Sequence, residues 1–357
     1  MKLALATDAW FPQVNGVVRS LATTVEKLRQ RGMTVDLITP DRFLTVPMPG
    51  YASIRLALAP RFGVRRMLHD ARPDLVHIAT EGPIGWSARG WCLRSGVPYT
   101  SAFHTRFPEY AAVRTGIDAE RFWPVMRHFH SRSEGVLVST GSLADELAER
   151  GITHTCRWGR GIDHALFRPD GARHPAMADL PGPILLHVGR VAPEKNIAAF
   201  LDAGVQGTKV VVGDGPSLPS LRQRHPDAVF LGALSGEELA SAYRSADCLV
   251  FPSRTDTFGL VVIEALACGV PVAAYPVPGP IDILGHDGLG TDGDLPGPAG
   301  ALDERLETAI ERALTADREI AARLGARFSW DHATDQFERA IMDAVHKHMM
   351  RSTPQAA

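Results

Sequence analysis

Short apolar runs alternate with amphipathic stretches along the whole of this 357-residue chain. In the first half the runs are KLALAT, TVDLIT, LVHIA, PYTSAF and GVLVST. Each is continuous rather than alternating, as expected of parallel strands covered on both faces. The stretch VVRSLATTVEKLRQRG places Val17, Leu21, Val25 and Leu28 on one helical face, and Gly32 ends it. From Arg168 to Pro183 the chain holds four prolines and no periodicity, which predicts a linker. The pattern then restarts with PILLHVGR, TKVVVG, AVFLG, CLVFPS and PVAAY. Two successive βα alternations predict an α/β chain of two doubly wound, Rossmann-like domains, residues 1–170 and 171–329. A helix from Trp330 to Met350 dominates the remaining segment, 330–357, and is expected to pack back on the first domain.

Composition is that of a soluble globular protein, 45% hydrophobic and 22% charged. No apolar run reaches the ~18 residues of a membrane-spanning helix, and MKLALATDAW is too quickly polar for a secretory signal. The expected location is the cytoplasm, with peripheral contact to the inner face of the cell membrane as the one exception. Cys92, Cys156, Cys248 and Cys268 lie far apart, without C-x-x-C or His at ligand spacing, so neither a metal site nor a disulfide framework is expected. Net charge is -2, but residues 1–170 carry 22 Lys+Arg against 16 Asp+Glu (+6) and residues 171–357 carry 16 against 24 (-8). A basic first half points to an anionic surface partner, and no nucleic acid is expected.

Ligands of doubly wound sheets bind outside the carboxyl ends of the strands, so the residues just after each strand are the ones to read. After PILLHVGR comes GRVAPEKN, in which Arg190 and Lys195 can close around one pyrophosphate. Surface charge beside a helix start would look the same. After CLVFPS comes RTDTFGLVVIEALACGVP, with Asp256 at the loop and Glu264 two turns into an apolar helix. Each carboxylate needs a partner there, and vicinal hydroxyls of a sugar or ribose serve, as a buried Lys or Arg would. Phe258, Gly259 and Leu260 lead into that helix, whose start offers N–H groups to phosphate oxygens. VVGDGP lacks the third glycine of a dinucleotide fingerprint, which argues against NAD. In the first half, HTRFPEY puts His104 and Arg106 at a strand's carboxyl end, HIATEGPIGW does the same for Glu81, and the opening turn TDAWFPQVNGVVRSL holds Gly16. The D-G-D at Asp292–Asp294 follows no strand and is not read as a metal site. Arg61, Arg65 and Arg66 in RFGVRRML, and Arg121, Trp123 and Arg127 in AERFWPVMRHFHSR, mix basic and aromatic residues as a membrane-surface segment would. Inward-packed aromatics beside solvated arginines give the same pattern.

TDAWFPQVNGVVRSL, RGIDHALFRP, GRVAPEKN, VVGDGP and PSRTDTFGLVVIEALACGVPV resemble, in order and spacing, the retaining glycosyltransferases of family 4 with the GT-B fold. The opening motif looks like the branch of mannosyl-, glucosyl- and glucuronosyl-transferases acting on diacylglycerol-type lipids. The resemblance implies two Rossmann-like domains facing across an inter-domain cleft, an acceptor-side first domain and a nucleotide-sugar-binding second one. It implies transfer of a hexose from UDP-glucose, UDP-glucuronate or GDP-mannose to a hydroxyl, with no cofactor and no metal. Gly16 would admit the donor diphosphate, Arg190 and Lys195 would neutralise it, His104 would contact the donor sugar near the reacting carbon, and Asp256 and Glu264 would contact sugar and ribose. Glu81 and Arg106 would face the acceptor. The chain departs from the pattern at Asp256, where the family has Glu, which leaves donor identity open. A soluble sugar acceptor, a GT-B epimerase and a non-catalytic sugar-nucleotide binder are the competing readings.

Overall fold

The computed structural model describes residues 1–13, 15–48, 51–104 and 106–352, which divide into two compact units. Unit 1 comprises Met1–Arg160 with Trp330–Ala357, and unit 2 comprises Gly161–Ser329. Unit 1 runs β1 (Lys2–Ala6), α1 (Gly16–Gln30), β2 (Thr34–Ile38), β3 (Thr45–Met48), β4 (Tyr51–Ala57), α2 (Arg61–Ala71), β5 (Leu75–Ile78), α3 (Pro83–Ser95), β6 (Tyr99–Ala102), α4 (Phe107–Thr115), α5 (Trp123–His130), β7 (Val136–Val138), α6 (Gly141–Glu149) and β8 (Thr155–Arg157). Unit 2 runs β9 (Ile184–Val188), α7 (Ile197–Asp202), β10 (Thr208–Val212), α8 (Leu218–Arg224), β11 (Val229–Gly232), α9 (Gly236–Ser245), β12 (Cys248–Phe251), α10 (Leu260–Ala267), β13 (Val272–Ala274), α11 (Pro280–Leu284), β14 (Gly300–Leu302), α12 (Leu306–Ala313) and α13 (Arg318–Gly325). The last helix, α14 (Trp330–Ser352), belongs to unit 1.

Each unit is built on a six-stranded sheet, ordered β2-β1-β5-β6-β7-β8 in the first and β11-β10-β9-β12-β13-β14 in the second, with parallel pairing throughout. Strand order reverses between β1 and β5 in unit 1 and between β9 and β12 in unit 2, so each sheet has one topological switch point.

Successive residues of a strand face opposite sides of the sheet, and both sides are buried here. In β9, Leu186 and Val188 enter one core and Leu185 the other. In β1, Ala4 and Ala6 face the side of α2 and α3, while Leu3 and Leu5 face α1 and α14. The continuous apolar runs follow from this double coverage. On the α1 side, Leu21, Val25 and Leu28 share a core with Phe337 and Ile341 of α14, and Lys27 pairs with Asp331 at 2.6 Å.

Two boundary expectations are corrected. The units part after Arg160 rather than after residue 170, because Ile162 and Phe167 already belong to the second core. The expected linker 168–183 is a coil held against unit 2, with Met177 in that core and the His174 N–H donating to Ser245 Oγ at 2.8 Å. The antiparallel β3–β4 hairpin, outside the main sheet, has no counterpart in the predicted strands.

Candidate functional site

In unit 2 the loops after β9 and β12 meet at the switch point. Lys195 Nζ lies 2.5 Å from Asp256 Oδ1. Asn196 Nδ2 donates to Pro252 O at 3.2 Å, and Thr255 Oγ1 to Glu194 O at 3.4 Å. Arg190 pairs with Glu194, four residues on in the same loop. Burial alone would raise the Asp256 carboxyl; the charge and hydrogen bond of Lys195, with the Ser253 hydroxyl, outweigh it and hold the group below the usual carboxylate range. Beneath the pair, burial pushes His187 down to about 4. The His187 ring contacts the backbone oxygen of Val250 through Nδ1 at 3.2 Å, which makes Nδ1 the donor. This cluster therefore presents two cations, each paired with a carboxylate, at the place where doubly wound sheets take their ligands.

The glycines of VVGDGP serve loop packing. A Cβ on Gly213 would stand 1.8 Å from Gly189 O, so only glycine lets the loop after β10 lie against the loop after β9. Val191 N–H then donates to Asp214 O at 2.8 Å. Gly259, at φ +91°, turns the chain into α10, a conformation costly for any other residue. Phe258, expected to contact the donor, has its ring in the second core beside Phe328, which removes that side chain from a ligand surface. Leu260 packs partly buried against the same core. Glu264 is 1% exposed, and the hydroxyl of Tyr243 donates to its Oε2 at 2.9 Å. The partner that this carboxylate needs inside an apolar helix is thus in part protein.

In unit 1, Gly16 is the exposed first residue of α1, and the preceding Asn15 caps the helix by accepting from Val18 N–H at 3.0 Å. Asp8, after β1, is buried; its carboxylate accepts from the N–H groups of Ile84 (2.9 Å) and Gly85 (3.3 Å) and from the Thr80 hydroxyl (3.0 Å). It caps α3, and burial, outweighing these bonds, pushes it up to about 6. Glu81 Oε1 lies 3.4 Å from Nε2 of the fully buried His130, whose Nδ1 contacts Ser101 Oγ at 2.8 Å. His104 follows β6, its Nδ1 3.0 Å from Nη2 of the buried Arg160. Arg106, expected at an acceptor, pairs with Glu146 at 2.5 Å with both side chains largely buried, a contact that anchors the start of α4 to α6.

The surface residues divide. Arg61, Arg65 and Arg66 are exposed on α2, and Arg121 and Arg127 are exposed around α5. Trp123 is corrected: it is 1% exposed, stacked on Phe103 at 5.8 Å, with the Arg150 guanidinium 4.1 Å from its ring centroid. Three exposed apolar residues without a sequence signal accompany the exposed arginines: Leu44 (83% exposed), Leu58 and Phe62 (79% exposed). Leu58 N–H donates to Leu44 O at 2.8 Å, which places these two residues side by side next to the start of α2. Asp294, in the D-G-D, accepts from two nitrogens of Arg327 at 2.8 and 2.9 Å. Among the described residues no group of three or more His, Cys, Asp or Glu is placed to hold a metal ion, and no helix is long and apolar enough to cross a membrane.

Residues 14–166 match the family model Glycosyltransferase Family 4, and residues 182–315 match Glycosyl transferases group 1. A GDP-mannose-dependent alpha-mannosyltransferase of Mycobacterium tuberculosis is 32% identical, over 94% of this chain and 95% of that protein. Sulfoquinovosyl transferase SQD2 of Arabidopsis thaliana is 28% identical, over 93% of this chain and 72% of that protein. Among solved structures, a sucrose-phosphate synthase from Thermosynechococcus elongatus aligns with a TM-score of 0.70 at 22% identity, covering 99% of this chain and all of that one, which shows the GT-B fold. Two parallel doubly wound units, charged loops at the second switch point and likeness over nearly the full length have one common source: the chain is a glycosyltransferase and belongs to family 4.

Proposed function

We propose that the protein moves a hexose from a nucleotide sugar to a hydroxyl of a membrane lipid, with retention of the α configuration. The observation that carries the donor half is the Arg190, Lys195 and Asp256 cluster across the β9/β12 switch point. In this reading the bond from the sugar's anomeric carbon to phosphate breaks while the bond to the acceptor oxygen forms on the same face, and the acceptor proton passes to the leaving phosphate. Arg190 and Lys195 stabilise the charge that grows on the diphosphate, and Asp256, released from Lys195, accepts from sugar hydroxyls. With two cations assigned to that charge, no metal or cofactor enters the proposal. Gly16 at the start of α1, His104 and Glu264 are assigned to the donor, and Glu81 to the acceptor. GDP-mannose is the first donor to test, since the M. tuberculosis relative carries that donor in its name.

The lipid half, and with it a peripheral membrane location, is supported by the surface around α2. Exposed Leu44, Leu58 and Phe62 accompany exposed Arg61, Arg65 and Arg66, apolar groups to enter a bilayer interface and cations to meet anionic headgroups. The experiment measures GDP or UDP release from GDP-mannose, UDP-glucose and UDP-glucuronate, with and without anionic vesicles containing diacylglycerol. Release should rise with lipid; release equal in the two arms sinks the lipid acceptor. In vesicle sedimentation, exchanging Arg61, Arg65 and Arg66 for Glu should weaken binding by roughly tenfold or more, at ~1 kcal/mol per cation near the surface. Binding equal to that of the parent removes the docking assignment.

A further inference from the structure

Arg160 is a buried cation held by backbone carbonyls beside it and by one histidine. Its Nη1 donates to Trp158 O at 2.6 Å and Gly159 O at 2.9 Å, and its guanidinium stands 4.6 Å from the Trp158 ring centroid. Among the described residues it makes no carboxylate ion pair, and burial pushes it down to about 9, still protonated at neutral pH. A buried charge without a counter-charge is costly. Among the described residues its side-chain hydrogen-bond partner is His104 Nδ1, at 3.0 Å from Nη2.

A guanidinium has only donors, so Nδ1 of His104 must be the acceptor and carry no proton. The neutral ring then holds its hydrogen on Nε2. Protonating the ring would place a second N–H and a second positive charge against Arg160. The Trp158 ring, edge-on at 5.2 Å, fixes the plane of the imidazole. His77 also bears on His104; it is fully buried and its Nδ1 contacts the Thr100 hydroxyl at 3.0 Å. Burial first, then Arg160 and His77, all drive His104 below its ordinary value.

We propose that Arg160 is a positioning residue: it locks His104 as the neutral, Nε2-protonated tautomer, so that His104 meets the transferred sugar as a hydrogen-bond donor and not as a base. The role of His104 toward the sugar rests on the reading above; the tautomer lock does not, and the test separates the two.

Nitrogen-15 NMR of the histidines, without substrate and with His104→Gln for assignment, should show His104 unprotonated at Nδ1 and protonated at Nε2 from about pH 5 to 8. In Arg160→Ala burial still keeps the ring neutral, but Nδ1 has lost the donor that held it bare, so the proton should distribute between Nδ1 and Nε2. Arg160→Lys, which keeps charge and donor, should restore the lock, and it also reports should the alanine variant not fold. Titration of His104 in the parent, or a proton on its Nδ1, overturns the proposal. For turnover, Arg160→Ala should cost about 10–100-fold, the scale seen when the outer hydrogen-bond partner of a metal-bound imidazole is lost. In a His104→Ala background the same change should cost less than twofold, and a full cost there overturns the coupling. A lock intact by NMR beside normal turnover in His104→Ala would sink the sugar contact and leave the lock standing.

Discussion

Replacing Lys195 by alanine is expected to lower kcat by about 10²–10³-fold, the cost of removing one group that stabilises charge in the transition state. The geometry compounds the loss. Lys195 is the charge that keeps Asp256 ionised against burial, so the alanine variant leaves a buried carboxylate without its partner. Asp256 then rises above its ordinary value, and turnover in Lys195→Ala should fall as pH drops through that raised value, a dependence that Asp256→Asn in the same background abolishes. Arg190→Ala should cost less, since Arg190 is about a third exposed and partnered by Glu194. Steady-state kinetics with GDP-mannose from about pH 5 to 8 measures both. A Lys195→Ala enzyme with kcat within threefold of the parent would refute the clamp.

The ten predicted strands were legible because parallel strands buried on both faces leave unbroken apolar runs, and each of those runs is a strand here. The β3–β4 hairpin stands outside both six-stranded sheets and holds Pro47 and Arg55 among its pairs, so it leaves no unbroken apolar run. The coil at 168–183 read as a linker because irregular backbone has no period, although Met177 anchors it. The places of Arg190, Lys195 and Asp256 after β9 and β12 were legible, since topology alone brings those two loops together, but the pairing of Lys195 with Asp256 was not. Arg160 was not: it meets His104 from a loop 56 positions away, after β8, and nothing local to either residue records the contact. Trp123 misled for a different reason. A helix with one buried aromatic face and one solvated basic face has the same residue spacing as one lying on a membrane, and only packing against Phe103 decides between them.

Asp8 in the opening motif carries the largest expected effect on stability, and the sign of its pH dependence is unusual for an acid that caps a helix. Asp8→Ala leaves the buried N–H groups of Ile84 and Gly85 without their acceptor, at ~1–3 kcal/mol each. Against this stands the cost of holding a charge in a buried place, which is why the group titrates near 6 instead of 3.8. Folded Asp8 binds its proton more tightly than unfolded Asp8, so its contribution is fully present below about pH 4 and is lost as pH rises to about 6. The difference of about two units corresponds to about 3 kcal/mol. Asp8→Ala should therefore destabilise by about 4–5 kcal/mol near pH 4 and by only about 2 near pH 7, in urea unfolding followed by circular dichroism. His77 and His187, pushed down by burial to about 3 and about 4, act oppositely, costing stability as pH falls below about 6.5. They are common to parent and variant and cancel in the difference. Asp8→Asn keeps an acceptor for Ile84 without a titrating proton, so it should cost less than alanine at pH 4 and match or exceed the parent near pH 7. A cost of Asp8→Ala that stays level or grows between pH 4 and 7 would show that the carboxylate is ionised at no penalty, and that the cap is not the buried, strained acceptor drawn here.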